Sequence, residues 1–412
     1  MTNAAANKKT ILAIASLAMA GTFLVGGYEF VRSVSSSLFI NAYGSANVPY
    51  VMAAMPPVLA LYIYIYGRML SKFGAMYTLL ATSLFSACMF LACYMLIIQE
   101  YRAATAILYI YRQIYIVLII EQYWSLINST LKSDQAKLYN GPITSAASLG
   151  PILAGYLVHK LAESIGTEQL LLFAAGALIP AAILSYTAYA LVGEPQPSPD
   201  EQGGLQGHIN LSLFKKTRVL LFLAIIIGIT QIIATMFTLK FYGLLELSIA
   251  TKDARTAYLG AFWSYTNGSA FLLQLIGAPI ALRIFPLRWI HIGLPLIHLA
   301  ACIAMLIHPV LFVAASSLLI FKSLDYSIFR ASKEILYIPL SYDARYRAKI
   351  VIDAFMYRFS SGAVGAVVSG FTLALGSISI LAYPIVALVS TVGWAGLAIP
   401  LTKESKKLEV RS

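Results

Sequence analysis

Long apolar stretches follow one another through nearly the whole chain. Twelve of them reach the roughly 20 residues that a helix needs to cross a bilayer: 10–40, 47–69, 75–99, 104–130, 138–160, 168–193, 217–247, 256–282, 287–308, 309–338, 347–375 and 377–402. Several exceed that length, so tilted or kinked helices are expected. One long polar connector rich in Pro and Gly, EPQPSPDEQGGLQGHINL (194–211), separates six stretches from six. The pattern predicts an all-α polytopic membrane protein: an N-terminal six-helix half over 1–193, a cytoplasmic linker over 194–214 and a C-terminal six-helix half over 215–412.

Composition supports the bilayer as solvent. Of 412 residues 59% are hydrophobic and 11% charged, against roughly 25% charged in an ordinary soluble domain. The net charge of +12 would suit nucleic acid if it formed a dense basic face, but the cations are spread thinly between apolar runs, and no nucleic-acid partner is expected. Cys88, Cys93 and Cys302 lie inside apolar runs and build neither a disulfide framework nor a metal motif. No P-loop is present, and His159, His208, His291, His298 and His308 are too scattered for a hydrolytic or metal site. They are read as interfacial or loop residues. The chain is thus expected to be no enzyme and to carry no cofactor.

Two features concern topology. Lys8-Lys9, an apolar run and Ala18-Met19-Ala20 have the anatomy of a cleavable signal peptide, but apolar sequence continues past Ala20 and cleavage would leave eleven spans. With the N-terminus inside, eighteen Lys and Arg fall in cytoplasmic segments and four (Arg102, Lys160, Lys252, Arg255) on the other side. That bias places both termini in the cytoplasm.

Two six-helix halves joined by a polar linker are the layout of the major facilitator architecture, in which halves rock around a midplane site. GRMLSKFG (67–74) resembles the signature loop of that superfamily in Gly67, Lys72 and Gly74, with Ser71 where Asp is usual. LRIFPLRW (282–289) is a weaker echo in the second half. Gly141, Gly150, Pro151 and Gly155 partly follow the antiporter motif; small residues there signal close helix packing.

Seven cations remain inside the spans, Arg32, Arg112, Lys240, Lys322, Arg330, Lys333 and Arg358, with five acids, Glu29, Glu121, Asp325, Glu334 and Asp353. Each central charge costs roughly 2.5–3.5 kcal/mol even on a lenient insertion scale, so they line a cavity or pair with one another. Glu29 with Arg32 and Lys322 with Asp325 are three apart and can neutralise locally. Lys322 and Lys333 are eleven apart and share a face of a regular helix. Arg112 and Glu121, nine apart, point to opposite sides unless that helix is distorted. A surplus of two cations in a low-dielectric cavity favours an anion, and the planar fork of Arg favours phosphate or carboxylate. Tyr28, Tyr115, Tyr123 and Tyr357 lie nearest these charges, and one or two could stack a base.

Two segments carry a family resemblance. In 330–362 the elements are Lys333-Glu334, YIPL at 337–340, Lys349, Ile352-Asp353 and Arg358; in 124–155 they are Trp124, Asn128, Ala136-Lys137 and the Gly-rich fifth span. Arg32 with NAYGSANVPYV (41–51) is a fainter third. These segments resemble the nucleotide transporter family, the ATP/ADP translocases of plastids and obligate intracellular bacteria. Four positions depart from it. A first-helix Lys three residues after Arg32 is Ser35, a fourth-helix Glu falls on or beside Arg112, a seventh-helix Glu is Met236, and an eleventh-helix Lys is Ser361.

The resemblance implies a divergent secondary carrier moving a nucleotide or other phosphorylated anion by alternating access. Arg32, Arg112, Lys240, Lys322, Lys333 and Arg358 are the expected substrate-binding cations. Asp325, Glu334 and Asp353 would hold or release them, while Glu29 and Glu121 are candidates for proton coupling, because a buried carboxylate can trade a proton for a salt bridge. The expected partners are a small anionic substrate, the lipid bilayer and a proton or counter-anion. The chain is read as a monomer and, having no transit segment, as residing in a bacterial inner membrane. A carrier for a non-nucleotide organic anion and a non-transporting receptor or scaffold are the alternatives.

Overall fold

The computed structural model describes residues 2–130, 133–193, 217–338, 352 and 357–409. Its elements in order are α1 (Thr2–Tyr43), α2 (Val48–Ile98), α3 (Arg102–Thr130), α4 (Ser133–Ile165), α5 (Leu170–Val192), α6 (Arg218–Ser248), α7 (Lys252–Leu272), α8 (Leu287–Ile307), α9 (Leu311–Leu324), α10 (Tyr357–Leu375) and α11 (Ala382–Glu409). No strand occurs among the described residues. By length and apolar composition nine helical stretches among them can cross a membrane, and Phe359–Leu375 is a shorter apolar helix. The 42-residue α1 runs unbroken through Ala18-Met19-Ala20.

At 51 residues α2 would be about 76 Å long if straight, more than twice the roughly 30 Å hydrocarbon core, so it must hold two spans. Gly74 divides them, with φ 74° and ψ 176°, a conformation that a Cβ resists. The connection expected at 67–74 is therefore helical up to that residue. Ser71 Oγ donates to the Gly67 carbonyl at 2.9 Å and Thr78 Oγ1 to the Gly74 carbonyl at 2.6 Å, which absorbs acceptors on either side of the break.

Two helices continue through π-turns, Leu273–Gly277 after α7 and Asp325–Phe329 after α9. The latter continues as Arg330–Tyr337. A π-turn adds a residue to one turn and rotates everything beyond it by roughly 100° relative to a regular helix. Lys322 and Lys333 lie on either side of it, so the face they would share on an unbroken helix is displaced.

The chain forms two compact units. The first comprises Met1–Gly44, Pro57–Leu205 and Ile249–Gly268. Within it α1 packs against α3, α4 and α5. Gly26 and Gly150 bring α1 onto α4: a Cβ on Gly150 would collide with the Thr22 backbone, and the Thr22 hydroxyl donates to the Ala146 carbonyl at 3.0 Å. The packing role expected of Gly150 and Gly155 is thus met, as small residues permit backbones to approach closely. Gly141 has no described side-chain environment.

The second unit comprises Ser45–Pro56, Gln206–Ser248 and Ser269–Ser412. Within it α6 is central, packing on α9, α10 and α11, and α8 packs on α11. His291 and His298 are here. They are neither interfacial nor in loops: both are buried on α8. The ring of His298 stacks on Trp394 at 5.5 Å and tilts on Phe321 at 4.8 Å; His291 meets Phe329 edge-on at 6.1 Å. Seven residues apart, they share one face of the helix, and the aromatic neighbours make that face a core.

Candidate functional site

The charges of the first unit converge on one stretch of α1. Glu29 is fully buried, and its Oε2 takes an ion pair from Arg32 Nη1 at 3.3 Å and a hydrogen bond from Asn267 Nδ2 at 3.1 Å. Ser33 Oγ donates to Oε1 at 3.4 Å. The local pairing expected of Glu29 and Arg32 is therefore present. The guanidinium of Arg32 also lies on the face of Trp263, with Cζ 3.0 Å from the ring centroid, and 5.8 Å from the ring of Tyr28.

Next to this pair Arg112 reaches across from α3, almost fully buried. Its Nη1 donates to the Arg32 carbonyl at 2.8 Å, Ser35 Oγ at 2.9 Å and Ser36 Oγ at 2.5 Å, while its Cζ sits 3.8 Å from the ring centroid of Tyr109. Bonds to a charged donor are the strong ones. They fix the turn of α1 that presents Arg32.

Tyr115 and Tyr123, expected near the charges, are pins between helices. Their hydroxyls donate to the carbonyls of Leu24 at 3.2 Å and Leu17 at 3.1 Å, which holds α3 against α1. Tyr28 stacks on Tyr115 at 6.5 Å. The site also draws in residues that the sequence reading missed: Ser33, Ser36, Tyr109, Trp263 and Asn267. Trp263 and Asn267 stand four apart on α7, so they share a face. Nothing in the linear pattern links that face to α1, over 230 residues earlier.

In the second unit Lys240 is fully buried on α6 and donates to the Ile380 carbonyl at 3.3 Å. Lys322 does not pair with Asp325; its Nζ lies 5.6 Å from the Tyr326 ring centroid and 5.8 Å from that of Phe321. Asp325 and Lys333 are buried, Glu334 is half-buried and Arg330 is exposed. The side chains of Glu121 and Arg358, and the whole of Asp353, lie outside the described residues, as does most of 339–356.

One cavity in the first unit, of about 540 Å³, lies between α1, α4 and α5 and is lined by Phe23, Phe30, Leu153, Leu157, Phe173 and other small or apolar residues. It contains no charged group and does not overlap the Glu29–Arg32 pair. Among the described residues no cluster of His, Cys, Asp or Glu could hold a metal.

Residues 288–404 match the model of the TLC ATP/ADP transporter family. That match bears out the family resemblance. Among curated proteins the chain is 23% identical over 282 residues to ADP,ATP carrier protein 1 of Rickettsia bellii (strain RML369-C). The aligned part is 59% of this chain and 56% of the relative, so the chain spans about half the length of the carrier it matches. Among solved structures it is similar to a D-xylose-proton symporter, with TM-score 0.61 and 13% identity over 93% of this chain and 96% of that one. A nucleoside transporter is similar at TM-score 0.59 and 16% identity, over 97% and 99%. These likenesses assign the major facilitator fold to a multi-pass membrane protein. Both the TLC model and the Rickettsia relative are of carriers, not enzymes.

Proposed function

We propose that the chain is a secondary carrier that moves a nucleotide, or another phosphorylated organic anion, across a bacterial inner membrane by alternating access. One observation carries this reading. In a helix that crosses the bilayer, an Arg–Glu pair and a second Arg stand within a single stretch of α1 and its neighbour. Buried intramembrane charges mark substrate or ion pathways by default, and the relatives by sequence are ATP/ADP transporters.

Arg32 is the cation of the first unit that meets the anion, and Arg112 holds the turn that presents it. Lys240, Lys322, Lys333 and Arg358 supply positive charge from the second half of the sequence, with Asp325, Glu334 and Asp353 as the counter-charges of that half. Glu29 and Glu121 are the groups that would link transport to a proton. Exchange of one anion for another needs no such link, whereas net uptake against an inside-negative potential does. Both termini lie in the cytoplasm on this reading, which the distribution of Lys and Arg supports.

Uptake of labelled ATP and ADP into proteoliposomes containing the purified chain is the test. Saturable, exchange-stimulated uptake is expected, with Arg32→Gln reducing it at least about tenfold through loss of a charge-assisted contact. Proteoliposomes that accumulate no nucleoside phosphate under any gradient would end the reading.

A further inference from the structure

Trp263 is 4% exposed, and one face of its indole carries the Arg32 guanidinium. Phe262 meets it edge-on, with centroids 4.6 Å apart and planes at 71°, which fixes the plane of the ring. Its Nε1–H is buried and has no acceptor. Arg32 therefore has two kinds of partner here, a π face in Trp263 and a carboxylate in Glu29.

A nucleotide presents the complement of both. Its base is planar and stacks on aromatic faces regardless of sequence, and its phosphates compete with a carboxylate for a guanidinium fork. Resting on the nucleotide reading above, we propose that Trp263 is the base-stacking platform of this site. When substrate enters, Arg32 leaves the indole for the phosphates, and the base takes the face that the guanidinium vacated.

Trp263 and Arg32 are both re-partnered in this exchange. Trp263 trades a guanidinium for a base. Arg32 trades one oxyanion for another. Glu29 retains Asn267 and Ser33. Inorganic phosphates would satisfy only Arg32 and leave the indole face bare, so the same arrangement selects nucleotides over free phosphate chains.

The experiment measures binding of ATP and of inorganic tripolyphosphate to the purified full chain and to Trp263→Leu and Trp263→Phe. Wild type should prefer ATP. Trp263→Leu should weaken ATP by about tenfold or more while tripolyphosphate changes by less than about twofold, and Trp263→Phe, which keeps a π face, should hold most of the ATP affinity. Retained tripolyphosphate binding shows that the variant is folded. Should Trp263→Leu fail to fold, ATP must still quench a component of tryptophan fluorescence that is missing from Trp263→Phe and that tripolyphosphate, which only bares the indole face, does not quench.

Equal weakening of both ligands in Trp263→Leu overturns the proposal, because Trp263 would then only position Arg32. Unchanged ATP affinity, or no ATP-specific quenching, overturns it too. Wild-type binding of both ligands without preference sinks the stacking platform but leaves a phosphorylated-anion carrier standing. Wild-type binding of tripolyphosphate but of no nucleotide removes the nucleotide reading itself.

Discussion

Arg112 Nη1 donates to Ser35 Oγ at 2.9 Å, and this one contact joins two of the positions at which the chain departs from the nucleotide transporter family. Where the family resemblance implies a Lys on the first helix and a Glu on the fourth, this chain has Ser35 and, on or beside the Glu position, Arg112. On that resemblance the cation at this point stands on α3 instead of α1, and no acid stands beside it in the sequence. The shorter Ser is what leaves room for the guanidinium, whose Nη1 also reaches Ser36 and the Arg32 carbonyl.

A charge exchange tests that relationship. Ser35→Lys alone should destabilise the protein, since it places a second cation against a buried Arg. Arg112→Glu alone should do so as well, because it buries an acid among hydroxyl and carbonyl oxygens. The double variant should recover part of the loss, with a coupling of about 0.5–3 kcal/mol of opposite sign to the single effects. Thermal unfolding in detergent reads all three; strictly additive losses would show that the two positions act independently.

Glu29 is the counter-charge of Arg32 and accepts from Asn267 and Ser33. Glu29→Gln keeps its shape and most of its hydrogen bonding but leaves Arg32 without this carboxylate. Breaking a buried pair in this way costs about 3–5 kcal/mol, and a bound anion restores the balance. The variant should therefore melt lower than wild type and gain a larger thermal shift from pyrophosphate. An identical shift in both proteins would mean that anions do not reach Arg32.

How much of this was legible in the sequence depends on the range of the signal. The helices and the Glu29–Arg32 pair follow from apolar length and from three-residue spacing, which are properties of one segment. The same reasoning failed at Lys322 and Lys333, where an intervening π-turn changes the register within a segment that looks regular. It also failed at His291 and His298, whose aromatic neighbours Phe321, Phe329 and Trp394 come from other helices. Trp263 and Asn267 were invisible for the same reason, since only the fold brings α7 to α1.

The seam between α4 and α7 rests on two glycines. A Cβ on Gly155 would lie 2.8 Å from the Gly260 carbonyl oxygen, and one on Gly260 would lie 2.7 Å from the His159 amide nitrogen. Either Gly→Ala change must push backbone against backbone and weaken the Ser264 Oγ to Ile152 carbonyl bond of 2.8 Å. A loss of about 1–3 kcal/mol is expected, as for other overpacked contacts. Gly176→Ala is the control, because its Cβ would meet no atom within 4 Å. Equal melting temperatures for Gly155→Ala and Gly176→Ala would contradict the seam.

At its amino-terminal end α7 is tied to the α4–α5 turn by two contacts of unequal kind. Lys252 pairs with Glu168, and Asp253 Oδ1 accepts from both the amide and the hydroxyl of Thr167, at 2.9 and 2.5 Å. The Lys252 side chain is 36% exposed, so water and salt screen the pair, and Glu168→Gln should cost no more than about 1 kcal/mol and matter less at high salt. Asp253 stands in the first turn of α7, where the helix dipole also favours an acid. It takes two hydrogen bonds on one charged oxygen, and bonds to charged groups contribute about 1.5–3 kcal/mol each. Asp253→Ala should therefore cost about 2 kcal/mol or more, with little dependence on salt. The ranking, Asp253 well above Glu168, is the discriminating result, and thermal unfolding at low and high sodium chloride measures it. Were the two variants equal, or Asp253→Ala the more salt-sensitive, the attachment of α7 at this end would be an electrostatic attraction between exposed charges and not a hydrogen-bonded clamp.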